Sequence, residues 1–494
     1  MLLRVVIIRA LRSIFYFLRK EQIQSKSVET LNPTLNLFNH KEKREEEISS
    51  AKETTTPNAL MSRSRSFLSS SPRWLFQHFF VLIAIAVALA APALFTSFFS
   101  DAQKFGNVPT SNPKPIKVLG YLPEWRLSTN DTAEATSVVH GLCARLNALI
   151  LFSIEVDEKG ELDKLDRIPS EEVLEQLKEA KKRYGCEVYV TIGGSSRTNG
   201  FGFATSTKKM RAKFVRSVST FLYEMHDDIF DGVDLNWSYP NNETEWRNLG
   251  KFAKALKKDF REHDETKKLS IAYYPNEYQE QILEMLEVTE FADGVHAMAY
   301  DLDGAEGHSS LKFATKTLNY AQDSFTGGKI MRLGVPFYGR SIPKDSRTPP
   351  EWRPYGDLMR DNKYELSDET NLAKSKDGVE VWFNGKDLIR EKVEKCRLFE
   401  DVCQGIFVWE LGQDVSMSDV IEDDEGAEEE ENSSSSSSSS KIDFRTRREM
   451  SLLATLTRAA WGDDKYDEML AKEIQFSRED DEKKEKKKEE KDEL

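Results

Sequence analysis

Between about residues 116 and 420 the chain alternates short apolar runs with stretches whose apolar residues recur every three or four positions. The short runs fall at 118–122, 148–154, 187–192, 232–236, 269–274, 294–300, 330–337 and 405–409. Such near-continuous apolar runs are the mark of strands buried on both faces. Stretches between them, at 170–183, 208–226, 245–262 and 310–323, read as amphipathic helices. Eight buried strands alternating with helices predict an α/β protein, a (β/α)8 barrel of the TIM type. An open doubly wound sheet is the competing arrangement. Its phosphate-binding loop, G-x-G-x-x-G, does not follow the first strand.

The flanks follow other patterns. Residues 74–100 are one uncharged run, and their apolar heart at 79–98 is long enough to span a hydrocarbon core about 30 Å thick. Arg63, Arg65 and Arg73 precede the run and Asp101 follows it. Positive-inside logic then leaves residues 1–73 in the cytosol and everything after residue 100, including a linker at 101–115, in a lumen. Met61 is an alternative start, which would make 61–98 resemble a long signal peptide. Residues 1–73 read as mostly disordered. Within the first 20, apolar residues interleave with Arg4, Arg9, Arg12, Arg19 and Lys20, which fits either an interfacial helix or a plain basic tail. Residues 421–440 join an acidic run to eight serines and read as a linker. Helical periodicity returns at 441–476, as a short hairpin, and a mixed-charge tail follows at 477–494. The last four residues, Lys491-Asp492-Glu493-Leu494, match the KDEL address read by the endoplasmic reticulum retrieval receptor. These features predict a type II protein of the endoplasmic reticulum membrane, with barrel and C-terminus in the lumen.

Composition sharpens this division. The 494 residues carry 70 Lys and Arg against 84 Asp and Glu, a net charge of −14. Residues 1–73 contribute +6, 74–420 contribute −10 and 421–494 contribute −10. An acidic luminal part argues against nucleic acid as a partner, because phosphate binding needs a basic face. Four Cys do not make a disulfide scaffold, and no His or Cys cluster has zinc spacing. No metal or cofactor is expected.

Chemistry in a barrel of this kind sits at the C-terminal ends of the strands. Those ends carry Tyr121, Glu124 and Trp125 (strand 1), Glu155 (strand 2) and Gly193-Gly194-Ser195 (strand 3). Strand 4 offers Asp231, Asp234, Asn236 and Ser238, and strand 5 Tyr274 and Asn276. Strand 6 offers Met298, Tyr300 and Asp301, strand 7 Tyr338 and Arg340, and strand 8 Trp409 and Glu410. Aromatic rings beside a few carboxylates suit a groove for sugars.

Six segments in order, VLGYLPEW (118–125), VTIGG (190–194), FDGVDLNWSYP (230–240), VHAMAYD (295–301), LGVPFYGRS (333–341) and GIFVWELGQD (405–414), resemble glycoside hydrolase family 18, the chitinases. The resemblance covers about three-fifths of the chain. The family's strand-4 hallmark reads D-G-x-D-x-D-W-E-Y-P. Its Glu is the general acid, the Asp two residues earlier steadies the substrate's acetamido group, and that group attacks the anomeric carbon. Strand alternation points positions 234, 236 and 238 to one face, into the mouth. Here Asp231 and Asp234 match, but Asn236 replaces the third Asp and Ser238 replaces the Glu. A hydroxyl does not deliver a proton near neutral pH as a carboxylic acid with a raised pKa does. The resemblance therefore implies a barrel that has lost this mechanism.

By the same resemblance, Trp409 would be the floor under the acetamido-bearing sugar. Tyr300 would bond its acetamido group, Asp301 would reach a hydroxyl, and Met298 would line the pocket. Tyr121, Trp125, Tyr338 and Arg340 complete the expected binding set. Residues 342–404 hold no obvious complete α+β insertion of the kind that deepens many chitinase clefts, so a shallow groove is expected. Cys143 with Cys186 and Cys396 with Cys403 are the expected disulfides among three possible pairings. Sequons stand at Asn130, Asn242 and Asn432, with a fourth at Asn236 on a strand too buried for use.

Three functions stay open. One is a chitinase-like protein without hydrolase activity that binds chitin-type or N-acetylglucosamine-containing glycans or glycoproteins. Another is an altered glycosidase using a displaced acid such as Asp301 or Glu410. The last is a protein-interaction scaffold docking through 444–476.

Overall fold

The computed structural model describes residues 114–415, apart from 128–131, 304–306, 326–327, 329, 342–349 and 368, and residues 450–492. The membrane-span reading of 74–100, the 421–440 linker, Asn130, Asn432 and the last two residues of the KDEL sequence lie outside the described residues. Among the described residues no helix is long and apolar enough to cross a membrane.

Eight strands form the centre: β1 (Lys117–Pro123), β2 (Ala148–Val156), β3 (Glu187–Gly193), β4 (Gly232–Asn236), β5 (Lys268–Tyr273), β6 (Gly294–Ala297), β7 (Met331–Pro336) and β8 (Cys403–Trp409). Neighbours in this order are all parallel, and β1 pairs with both β2 and β8, which closes the barrel. At least one helix lies between each pair of successive strands, the longest in each case being α1 (Thr132–Cys143), α2 (Glu171–Tyr184), α3 (Lys208–Ser219), α4 (Glu243–His263), α5 (Glu277–Met285), α6 (Leu311–Ser324) and α7 (Lys386–Leu398). Alternation sorts each strand into two cores. Val118, Leu122, Leu149, Leu151, Val233 and Leu235 face outward and pack on the helix layer. Leu119, Tyr121, Ile150, Phe152, Tyr189 and Phe407 face inward.

The loops at the mouth end in capped helices. The side chains of Asn242, Asn276 and Ser310 accept from Glu245 N (3.0 Å), Gln279 N (2.9 Å) and Phe313 N (3.2 Å), starting α4, α5 and α6. Asn276 is thus a cap. Asn242, the sequon residue, is exposed and uses only its oxygen in this bond.

Three expectations are corrected. Between β7 and β8 there is an inserted five-stranded antiparallel sheet, built from 338–341, 352–354, 364–367, 372–375 and 380–382, with a short helix at Tyr355–Arg360. Its strands are three or four residues long and mostly half-exposed, too short for a period-two signal to register. The second correction concerns the cysteines. Cys396 and Cys403 form a disulfide joining the end of α7 to the start of β8, but Cys143 and Cys186 are free, buried thiols. Burial raises the Cys186 thiol well above its ordinary value and its neighbour Cys143 adds to this, so Cys186 packs as a protonated side chain.

The third correction concerns the C-terminal segment, which is part of the barrel's base. Helices α8 (Leu452–Trp461) and α9 (Asp463–Asp492) follow, and α9 continues through the charged residues. Buried Asp414 receives Leu452 N (3.0 Å), Leu453 N (2.9 Å) and Ser451 Oγ (2.7 Å), fixing the start of α8. Ile116 N donates to Ala460 O, and Trp461 Nε1 donates to Asn147 Oδ1, both at the N-terminal ends of strands. Phe476 of α9 stacks on His140 of α1 at 3.7 Å, and Arg145 pairs with Glu473 at 2.7 Å.

Candidate functional site at the barrel mouth

Strand 4 sets the centre. Asp234 is fully buried inside the barrel and accepts from Ser270 Oγ (2.7 Å), Tyr121 Oη (2.9 Å) and Thr191 Oγ1 (3.2 Å). His296 Nδ1 lies 3.2 Å from Asp234 Oδ1 and 2.7 Å from Tyr121 Oη. On the ring's other side, Arg332 Nη1 meets Nε2 at 2.8 Å. A guanidinium only donates, so Nε2 accepts and Nδ1 carries the proton toward Asp234 and Tyr121. Burial works to raise the Asp234 carboxyl, but His296, Ser270 and Tyr121 outweigh it and hold it below the ordinary range. Burial keeps His296 neutral despite the pull of Asp234. Asp234 is therefore an ionised, saturated acceptor at the heart of the barrel.

Two residues on, Asn236 is buried and Ser238 half-buried. Ser238 Oγ donates to Asn236 Oδ1 at 2.7 Å. Asp231 is not at the mouth. It precedes β4, where its Oδ2 accepts from Val188 N (2.8 Å) and its Oδ1 pairs with Lys181 (2.8 Å). The strand runs from base to mouth, so a residue before its first position falls at the base.

The aromatic set converges. Tyr121, Tyr300 and Tyr338 share one inward cluster with Phe152 and Phe407, and Met298 and Trp409 pack against it half-buried. Trp409 meets Phe152 edge-on at 4.7 Å and Tyr121 at 5.4 Å. Trp125 is further out, 48% exposed, with its edge against Phe152. Asp301 stands at the rim, where it accepts from Tyr338 Oη (2.8 Å) and Trp352 Nε1 (3.4 Å), with His308 Nδ1 at 3.6 Å. Burial pushes its carboxyl up, but hydrogen bonds from His308 and Tyr338 prevail and leave it below the usual range. Arg340 donates to Asp301 O (3.0 Å) and pairs with Asp303 (2.8 Å). Glu410 is buried and committed: Arg126 lies 2.6 Å from Oε1, and Gly412 N donates to Oε2 at 2.8 Å.

Family 18 of the glycosyl hydrolases matches residues 117–414, the whole barrel. The chain belongs to this family. Its family 18 relatives include Chitinase 1 of Aphanocladium album, 27% identical over 187 residues, which are 33% of this chain and 43% of that protein. Sporulation-specific chitinase 2 of Saccharomyces cerevisiae is 28% identical over 186 residues, 33% of this chain and 36% of that one. The match thus spans less than half the length of either relative. Among solved structures, catalytic domain 2 of the Ostrinia furnacalis group II chitinase superposes with a TM-score of 0.53 at 18% identity, covering 70% of this chain and 97% of that one. A complex of that domain with penta-N-acetylchitooctaose superposes with a TM-score of 0.51 at 19% identity, covering 61% and 91%. At such identities these structures show the shared fold alone.

Reading the sequence did not single out Phe152, His296, Arg332, Arg197 or Trp352. Two of them carry a signal. His296 lies two positions before Met298, on the same strand face, and Arg332 is a lone charge inside an apolar run. Phe152 on β2, Arg197 on the loop after β3 and Trp352 on the inserted sheet get their roles from neighbours that meet only in three dimensions.

Proposed function

We propose that this family 18 barrel binds an N-acetylglucosamine-containing glycan or glycoprotein at its mouth and does not cleave it by substrate-assisted hydrolysis. The Ser238–Asn236 hydrogen bond carries this reading. Both positions where the family resemblance expects carboxyl groups hold neutral groups bonded to each other. No acid of raised pKa stands there, and general acid catalysis is worth about 10²–10⁴-fold. The gathered ring of Trp409, Tyr300, Tyr338 and Met298 supports a kept binding pocket. Asp301, ionised at neutral pH, suits accepting a sugar hydroxyl better than giving a proton. Glu410 is tied to Arg126, which counts against it as a displaced acid. The scaffold reading has less support, because α8 turns Leu452, Leu453 and Leu456 into the barrel's core.

The compartment belongs to the same proposal. The 74–100 run and the KDEL sequence support an endoplasmic reticulum membrane protein with a luminal barrel, met there by the retrieval receptor and by N-linked glycans. Protease protection of the barrel in sealed microsomes tests this, and digestion without detergent contradicts it. Binding is tested by titrating the barrel with N-acetylchitooligosaccharides. Trp409→Ala weakens binding about tenfold or more by removing the stacking floor. An unchanged affinity in that variant contradicts the assigned pocket.

A further inference from the structure

Two guanidinium ties stand at the rim of the mouth, and they differ in burial. On the side of β1 to β3, Arg197 reaches from the loop after β3 across two neighbours. It donates to Glu124 Oε1 (2.7 Å) and Oε2 (3.2 Å), and to Ser153 O (3.2 Å) and Oγ (3.0 Å). Its guanidinium lies 5.2 Å from the Phe152 ring centroid and 5.6 Å from that of Trp125. Arg167 backs the tie, 2.8 Å from Glu155 and 3.8 Å from Glu124. The Arg197 and Glu124 side chains are 18% and 19% exposed. A two-pronged, largely desolvated guanidinium–carboxylate pair is among the stronger polar contacts, and stacking on two rings holds it further. Phe152 in turn touches Trp409, so this bar stands one ring away from the floor of the pocket.

The opposite side differs. There the tie runs between the loops after β6 and β7, from Arg340 to Asp301 and Asp303, and it leaves Tyr239 39% and Trp352 51% exposed. A half-exposed tryptophan lies beneath a guanidinium on both sides, Trp125 at 48% under Arg197 and Trp352 at 51% with Arg340 5.3 Å from its ring centroid, but the Asp303 carboxylate is 90% exposed where that of Glu124 is 19% exposed.

We propose that Arg197 and Glu124 bar the groove, so the mouth receives the end of a glycan, one or two acetamido sugars at a chain terminus, and not an internal stretch of polymer. This rests on the glycan-binding reading above. A chain threading past Phe152 must first break the Arg197–Glu124 pair and strip the cation from two rings.

The test is calorimetric or NMR titration of the barrel with the methyl glycoside of N-acetylglucosamine and with its β-1,4-linked dimer, tetramer and hexamer. Affinity is expected to rise from monomer to dimer and then stay within about twofold. Arg197→Ala is expected to raise hexamer affinity about fivefold or more while leaving the monosaccharide unchanged, and Glu124→Gln to do the same with a smaller change of shape. A wild-type affinity that climbs about tenfold or more from dimer to hexamer overturns the bar, as does a hexamer affinity unmoved in both variants. Failure of even the methyl glycoside to bind at millimolar concentration overturns the glycan reading itself, and the bar with it.

Discussion

Replacing Asp234 by Ala should cost this barrel about 4 kcal/mol. The carboxylate accepts from Tyr121, Ser270 and Thr191 and faces the protonated Nδ1 of His296, all inside a closed barrel. Hydrogen bonds to a charged acceptor contribute about 1.5–3 kcal/mol each, but they do not add when they share one group. The Ala variant leaves those donors buried without a partner. Each buried donor left without its acceptor costs about 1–3 kcal/mol, so losing the shared carboxylate adds up to about 4 kcal/mol. With an unfolding entropy near 2 cal/mol/K per residue, a loss of that size lowers the melting temperature by about 5 °C. Asp234→Asn keeps the volume but turns one acceptor into a donor facing donors, so about half the loss is expected. The pH dependence has a definite sign. The folded carboxyl titrates below its unfolded value of about 3.9, so its contribution is full above that pH and fades as pH falls through the folded value. Thermal melts followed by circular dichroism at pH 7 and pH 3 read both effects. The variants should differ from wild type at pH 7, and the gap should narrow as pH falls below about 3.9. An Ala variant that melts within about 1 °C of wild type at pH 7 refutes the hub.

Other parts of the molecule give equally direct outcomes. Glu280 on α5 is buried with neither oxygen paired, and burial pushes its pKa up to about 8. Its proton stabilises the fold fully below the unfolded value near 4.3 and is lost as pH rises through about 8, so Glu280→Gln should exceed wild-type stability by about 2 kcal/mol at pH 9 in urea melts and show no gain at pH 4. Asp414→Ala removes the anchor of α8, and limited proteolysis should then release residues 450–492 that the wild type protects. Alkylation of the unfolded, unreduced chain should label two thiols, Cys143 and Cys186, and label four after reduction; labelling none before reduction contradicts the free pair.

The strands were legible because each is buried on both faces. In β2 eight of nine residues are buried, and no surface pattern dilutes the apolar run. That Tyr300 and Trp409 come together was legible too, since family segments put both at strand ends. What reads poorly depends on partners far apart in sequence. His296 and Asp234 meet across 62 positions, and nothing local marks one as the other's partner. Asp231 misled for a different reason: its place in a motif says nothing of which end of a five-residue strand it occupies. The inserted sheet escaped because strands such as 352–354 and 380–382 bury too little to alternate visibly. The fate of 450–492 was hidden because α8 gets its partners from the base of β1 and β2, more than 300 residues earlier.

One measurement bears most directly on the account of a binding barrel without hydrolysis. The fragment of residues 114–494 is mixed with tri-N-acetylchitotriose in an NMR tube, and ligand-observed saturation transfer is recorded alongside the anomeric signals for a day. Saturation transfer to the acetamido methyl protons, with the trisaccharide intact throughout, is the predicted result. Release of N-acetylglucosamine or chitobiose, abolished in an Asp301→Ala or Glu410→Gln variant, contradicts it, as does the absence of transfer at millimolar ligand.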